Sequence, residues 1–256
     1  MICKGTRYGH CSQKVIRSAK SLKWYCCCWA GVDHFCAESL YQNPDCRLTN
    51  SSGAYGTTIS EHLIMVCLML LRRQMEYTEI IRAGGWETLP GGIRSLHPAC
   101  ITGVRRTVRS SDPAFTSIHA IAELDSVLPE TDILVMALPS TAETVGILLR
   151  ERIALLPDSA FVVNVGRGTA IDQEALCDTL NAGQLAGAAL DVVVPEPLPA
   201  DHPLRRAKNL LLTPHVAGNM TLGYTCDKSV QMFCDDLENY AAGRPLAHLV
   251  DRKRGY

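Results

Sequence analysis

Three polar residues stand at the ends of β-rich runs in the second half of the chain, and a fourth lies between two of them. Arg167 follows "VVNV" inside "AFVVNVGRGTAID", Asp191 closes "GAAL", and His215 follows "LLLTP" within "TPHVAG". Glu196 sits in "VPEPLP", a proline-flanked loop too rigid for a casual linker. Ligands of open α/β sheets lie beyond the carboxyl ends of the strands, so these residues gather on one edge. Reduction of a 2-keto acid would use such a set: a cation to hold the carboxylate and polarise the carbonyl, a proton donor, and a hydride source. Arginine suits the first task because its fork binds a carboxylate in two places. Histidine suits the second, since it titrates near physiological pH and a neighbouring carboxylate favours its protonated form. No side chain supplies a hydride, so a cofactor must. Gly166 and Gly168 bracket the arginine; glycine accepts φ > 0 and lets other groups approach the main chain, which predicts a sharp turn built for access. Taken singly, Arg167 is a solvated arginine in a strand-to-helix turn and His215 a surface or capping histidine. The set is harder to dismiss than its members.

The elements that must position these residues show in the periodicity. From 133 onward, "ILVMAL", "AFVVNV", "GAALDVV" and "NLLLTP" alternate with helical runs, one starting at Ser140 with Glu143 and one over "DQEALCDTLNAG". Short strands separated by helices predict βαβ units and a parallel sheet with helices on both faces. Upstream, Thr58 precedes Glu61 at capping-box spacing and opens an apolar run that Gly84 and Gly85 stop. That predicts one long buried helix over 58–82. A last helix over 221–242 is expected to bury Val230, Phe233, Leu237 and Tyr240 on one stripe.

Composition narrows the partners. The chain has 256 residues, 47% hydrophobic and 20% charged, enough for a substantial core in one or two domains. A formal net charge of -1 gives no long-range attraction to nucleic acid or an anionic membrane. The longest apolar run, "LIMVCLMLL", is too short to span a bilayer, and "MICKGTRYGHCSQK" has no apolar signal core. The 12 cysteines lack paired C-x2-C spacing, so no metal is expected and they read as thiols of a reducing, cytoplasmic compartment.

The motifs "NVGRG", "ALDVVVPEPLP" and "LLTPHVAG", in this order and spacing, resemble the D-isomer-specific 2-hydroxyacid dehydrogenases. The resemblance extends to "WAGVDHF", "NSSGAYGTTISEH" and "GRPLAHLVDRKRGY", nearly the whole chain. It implies an α/β fold with a parallel-sheet, Rossmann-like nucleotide domain over 83–219, incomplete and shortened near 89–104. An interdomain helix over 57–82 and a smaller flavodoxin-like substrate domain, built from 1–56 and 220–256 and N-terminally truncated, complete it. The implied activity is hydride transfer between NAD or NADP and a small 2-keto or 2-hydroxy acid, in a homodimer built largely on the nucleotide domain and the helix. By position, Arg167 would bind substrate, His215 would be the acid/base, and Glu196 its partner. Asp191 would contact the nicotinamide amide, with Val165, Gly166 and Gly218 also at the cofactor. Gly31 and Val32 would offer backbone N–H groups to the substrate carboxylate. Pro139 and Thr144, in "LPSTAET", match a segment beside the cofactor, with simple loop and cap roles as the alternative.

The chain departs from the family in one region. A dinucleotide site needs a first strand, a G-x-G-x-x-G turn and a helix N-terminus for the pyrophosphate. Between Leu89 and Val104 there is room for one strand, "ACITGV", and "GGIRS" resembles at most a fragment of the turn. Arg105 and Arg106 follow that strand where an NAD-specific member would carry an acidic residue for the ribose hydroxyls. Arginine there resembles the NADP-preferring pattern and puts NADP ahead of NAD; a solvated basic turn is the alternative. Two functions follow: an oxidoreductase of the family, or a degenerate paralogue, weak or inactive, that keeps only a binding or regulatory role.

Overall fold

The structure, a computed structural model, describes residues 12–108 and 112–256. Residues 1–11, the start of the expected 1–56 segment, and 109–111 lie outside the described residues. The chain divides into two compact units. One takes the chain up to Ser60, Pro139–Thr144 and Ala217–Tyr256; the other takes Glu61–Leu138 and Val145–Val216. These divisions fall at 60 and 216, where the sequence reading has 56 and 219, and the 139–144 loop goes with the first unit.

The second unit is built on parallel strands. β5 (Ile133–Met136), β6 (Phe161–Asn164), β7 (Gly187–Leu190) and β8 (Leu210–Leu212) pair in that order. β6 and β7 are buried at every residue, as central parallel strands covered on both faces must be. Alternation sends Val162, Ala188 and Leu190 to one face, against Leu128, Ile153 and Leu176. Phe161, Val163 and Ala189 go to the other, against Val66, Cys67, Leu70 and Leu71. Each large side chain so buried contributes about 1.5–3 kcal/mol. Helix α6 (Gln173–Ala182) follows β6; Asp172 caps it by accepting the Ala175 N–H, and Gly183, at φ 72°, ends it.

A second, separate parallel pair is formed by β3 (Thr102–Arg105) and β4 (Ser117–Ala120). Among the described residues no strand joins it to the four-stranded sheet, and β5 is left as an edge with Val135 44% exposed. The strand expected from "ACITGV" is β3. The "GGIRS" segment does not serve as a glycine turn at the carboxyl edge. Arg94 pairs with Asp132 at 2.6 Å and bonds the Ser159 carbonyl, and those two residues precede β5 and β6 at the opposite edge.

The long helix expected over 58–82 is two helices, α2 (Gly56–Leu71) and α3 (Gln74–Arg82), preceded by α1 (Gln13–Ser18) and followed by the one-turn helices α4 (Leu124–Val127) and α5 (Arg150–Ile153). Arg73, at φ 55°, breaks it, and its guanidinium binds both oxygens of Glu76 at 2.8 and 2.6 Å, holding the first turn of α3. Thr58 does not cap the start: its hydroxyl donates to the Tyr55 carbonyl within the first turn. Nor is α2 buried all round, because Ile64, Met65 and Leu68 are 55%, 45% and 42% exposed. The helix expected from Ser140 is a turn tied by the Thr144 hydroxyl, which accepts the Thr141 N–H at 2.8 Å and donates to the Pro139 carbonyl.

In the first unit, β1 (Trp24–Cys26) pairs in parallel with β2 (Arg47–Thr49). Helix α7 (Gly223–Ala241) buries Thr225, Ser229, Met232 and Asp236 rather than the apolar stripe expected there. Val230 is 55% exposed, while Phe233 and Tyr240 stack on Trp24. The polar stripe is buried because several of its groups are partnered. The Ser229 hydroxyl meets that of Ser51 at 2.7 Å, and Asp236 accepts the Ala247 N–H at 2.6 Å and the His248 N–H and ring.

Candidate active site

Three loops leave the carboxyl ends of adjacent strands β6, β7 and β8, and they carry the residues singled out by spacing. After β6, buried Asn164 shapes the turn. Its Oδ1 accepts the Gly166 N–H at 3.0 Å, and its Nδ2 donates to the Arg167 carbonyl at 2.9 Å. Val165 extends the ladder by donating its N–H to the Met136 carbonyl. Half-buried Arg167 donates from one guanidinium nitrogen to the Gly166 carbonyl at 2.9 Å. The flanking glycines are not there for positive φ, since neither adopts it. A Cβ on Gly166 would stand 2.5 Å from the Leu138 backbone, and one on Gly168 2.5 Å from that of Val193. Close approach of loops, not left-handed geometry, demands glycine here.

The loop after β7 presents Glu196. Gln173, the first residue of α6, bonds both the N–H and the carbonyl of Val194 through its amide, at 2.8 and 2.6 Å. The Glu196 carboxylate accepts the Val193 N–H at 3.0 Å through Oε1 and meets His215 Nδ1 through Oε2 at 2.8 Å. Their side chains are 37% and 49% exposed. A pair so open adds at most about 1 kcal/mol to stability; its effect is to orient the ring and leave Nε2 for a ligand.

The loop after β8 holds His215 at φ 54°, a left-handed conformation that costs a non-glycine residue of order 1 kcal/mol. Asp191, 3% exposed, binds this turn: its Oδ1 accepts the Thr213 hydroxyl at 2.6 Å and the Val216 N–H at 2.9 Å. Its backbone carbonyl accepts the His215 N–H at 2.8 Å. Asn164, Gln173 and Thr213 were not among the residues that spacing selects. Only the asparagine's burial inside an apolar strand run could have pointed to one of them.

The remaining expected residues are spread over both units. In the second, Arg105 closes β3, 3.4 Å from Asp112 and with its guanidinium 4.8 Å from the Phe115 ring centre, and exposed Arg106 follows. In the first, Pro139 and Thr144 belong to the tied turn already described, and Gly218 lies against Tyr55 and Ile59, where a Cβ would come within 3.2 Å. Gly31 and Val32 are also there; among the described residues neither N–H has an acceptor, while the Val32 side chain is buried. No group of three or more histidine, cysteine, aspartate or glutamate residues that could hold a metal ion occurs among the described residues. No described helix is long and apolar enough to cross a membrane.

A parallel α/β sheet with an arginine and a carboxylate–histidine pair at its carboxyl edge defines an oxidoreductase of the Rossmann-like class, and the chain belongs to the D-isomer-specific 2-hydroxyacid dehydrogenase family. Residues 98–217 match the domain described as "D-isomer specific 2-hydroxyacid dehydrogenase, NAD binding domain". A glyoxylate/hydroxypyruvate reductase A of Klebsiella pneumoniae (strain 342) is 32% identical, over 89% of this chain and 80% of its own. Another from Salmonella newport is 36% identical over 78% of this chain and 70% of its own. Among solved structures, the NADPH-dependent glyoxylate/hydroxypyruvate reductase of Sinorhizobium meliloti, in complex with NADP and sulfate, superposes with a TM-score of 0.81 at 26% identity, over 96% of this chain and 84% of that one. These three relatives are named as reductases, which gives the reading of a chain without turnover no support.

Proposed function

We propose that the chain reduces small 2-keto acids with NADPH, glyoxylate and hydroxypyruvate being the first substrates to try because relatives carry those names. The observation that carries this reading is the 2.8 Å pair of His215 and Glu196 on the same sheet edge as Arg167. The first unit is taken as the substrate domain and the second as the dinucleotide domain. The donor set suits a dinucleotide at its two ends: Arg105 and Arg106 for a 2'-phosphate, and the turns at Val165, Gly166 and Asp191 for the nicotinamide side, with Pro139, Thr144 and Gly218 assigned by resemblance. The Asp112 pair of Arg105 is long and partly exposed, so a doubly charged phosphate can replace it. NADPH, when bound, supplies the hydride to the keto carbon.

Arg167 holds the substrate carboxylate and draws electron density from the carbonyl oxygen. His215 gives its Nε2 proton to that oxygen, completing the 2-hydroxy acid, while Glu196 keeps the ring oriented and balances its charge before the transfer. Solvent re-protonates the half-exposed ring. Two unused N–H groups support the assignment of Gly31 and Val32 to the carboxylate. Free described cysteines support a cytoplasmic site of action, and the exposed apolar face of α2 supports a homodimer.

Steady-state assays with each keto acid, at NADPH and NADH concentrations up to millimolar, test the reading by loss of cofactor absorbance. Turnover is expected with NADPH ahead of NADH, and His215→Ala and Arg167→Ala should each lower it about a hundredfold or more. No turnover by the folded protein with either acid, or full activity in either variant, removes the assignment.

A further inference from the structure

The residues on either side of His215 are tied to one buried carboxylate. Asp191 Oδ1 takes the Thr213 hydroxyl, two residues before the histidine, and the Val216 N–H, one residue after it. The His215 N–H goes to the backbone carbonyls of Asp191 and Thr213 at 2.8 and 3.0 Å. The Thr213 hydroxyl gives its one proton to Asp191, oxygen to oxygen at 2.6 Å, so His62 Nε2, 3.5 Å away on α2, bonds the same oxygen in the tautomer that carries its proton there. The half-exposed Glu196 fixes the ring through Nδ1 but touches no backbone atom of the 213–216 turn among the bonds described. Something else must keep a non-glycine residue at φ 54°.

We propose that Thr213 and Asp191 are positioning residues: their hydroxyl–carboxylate bond, backed by His62, clamps the turn in the left-handed conformation that sets His215 Nε2. Valine at 213 would match threonine in shape and branching while removing the hydroxyl that Asp191 accepts. Loss of the bond frees the turn to relax, and a proton donor displaced by a fraction of an ångström loses rate more than it loses substrate affinity.

The kinetic half of this inference rests on His215 being the proton donor; the structural half does not. Thr213→Val and Thr213→Ser are compared by amide hydrogen exchange at His215 and Val216 in the protein without cofactor, and by kcat and KM for the keto acid. Thr213→Val should speed exchange at Val216 about tenfold or more and lower kcat by about ten- to a hundredfold with KM nearly unchanged, and Thr213→Ser should restore both. Should Thr213→Val fail to fold, Thr213→Ala removes the same hydroxyl without pressing a methyl on the carboxylate and carries the same readouts. Unchanged exchange at Val216 in the hydroxyl-less variant overturns the clamp, as does a serine variant that behaves like valine. If no form turns over, yet exchange rises in the hydroxyl-less variant and returns with serine, the clamp stands and the catalytic reading falls.

Discussion

Gly166 and Gly168 show what a single position can carry. Each is glycine because a backbone carbonyl or amide already occupies the space of a Cβ, which locks the arginine turn against its neighbours at Leu138 and Val193. The same density acts on thiols. Burial pushes Cys27 up from the ordinary 9.0 to about 11, since a thiolate there would lose its hydration, and the bond from the Trp29 backbone offsets only part of this. A thiol raised on folding stabilises the fold fully below its unfolded value and loses that contribution as pH rises from 9 through about 11, roughly 2 to 3 kcal/mol in all. Denaturant melts are therefore expected to weaken over that window and not between pH 7 and 8. Alkylation at pH 8 should mark exposed Cys100, Cys226 and Cys234 and spare Cys27. Equal labelling of Cys27 would contradict its burial.

Helix α2 is the element whose two faces do different work. One face packs Val66, Cys67, Leu70 and Leu71 under the sheet, and the other leaves Ile64, Met65 and Leu68 in solvent. A monomer gains nothing from such a face, and a twofold partner would cover it with the same residues. In the homodimer reading, Ile64→Glu with Leu68→Glu should give a monomer by light scattering while leaving the thermal melt of the monomer cooperative. A parent already monomeric at assay concentration would end that reading. The helix's existence was legible in its apolar run. Its break was not, because the ion pair of Arg73 with Glu76 stabilises a left-handed residue that propensity alone would keep helical.

Across the whole molecule the division of the sheets bears most on function. β3–β4 and β5–β8 are separate among the described strands, and the only G-x-G in the chain is the one around Arg167. A complete phosphate turn would add two or three charge-assisted backbone hydrogen bonds at about 1.5–3 kcal/mol each, or roughly 3–9 kcal/mol. Affinity for NADPH should accordingly lie about two to six orders of magnitude below that of a family member with the complete unit, and KM for the cofactor should rise with it. Calorimetric titration checks this; micromolar binding would mean that other groups hold the pyrophosphate.

The sequence made legible the class of fold, the strands β5 to β8 and the edge that carries Arg167, Glu196 and His215. Those follow from local information: a period of two against one of three to four, and polar residues at the ends of apolar runs. It also exposed the missing glycine turn, since the motif is a contiguous string. Tertiary packing chose the buried face of α7, because Thr225, Ser229 and Asp236 look like a solvent stripe until groups outside the helix, Ser51 for Ser229 and His248 for Asp236, are folded against it. It likewise moved "GGIRS" to the amino edge, where Arg94 finds Asp132, and gave Asp191 and Thr213 a common task. Hydrogen bonds between residues 22 or more positions apart leave no periodicity to read; they exist once the chain is folded and not before.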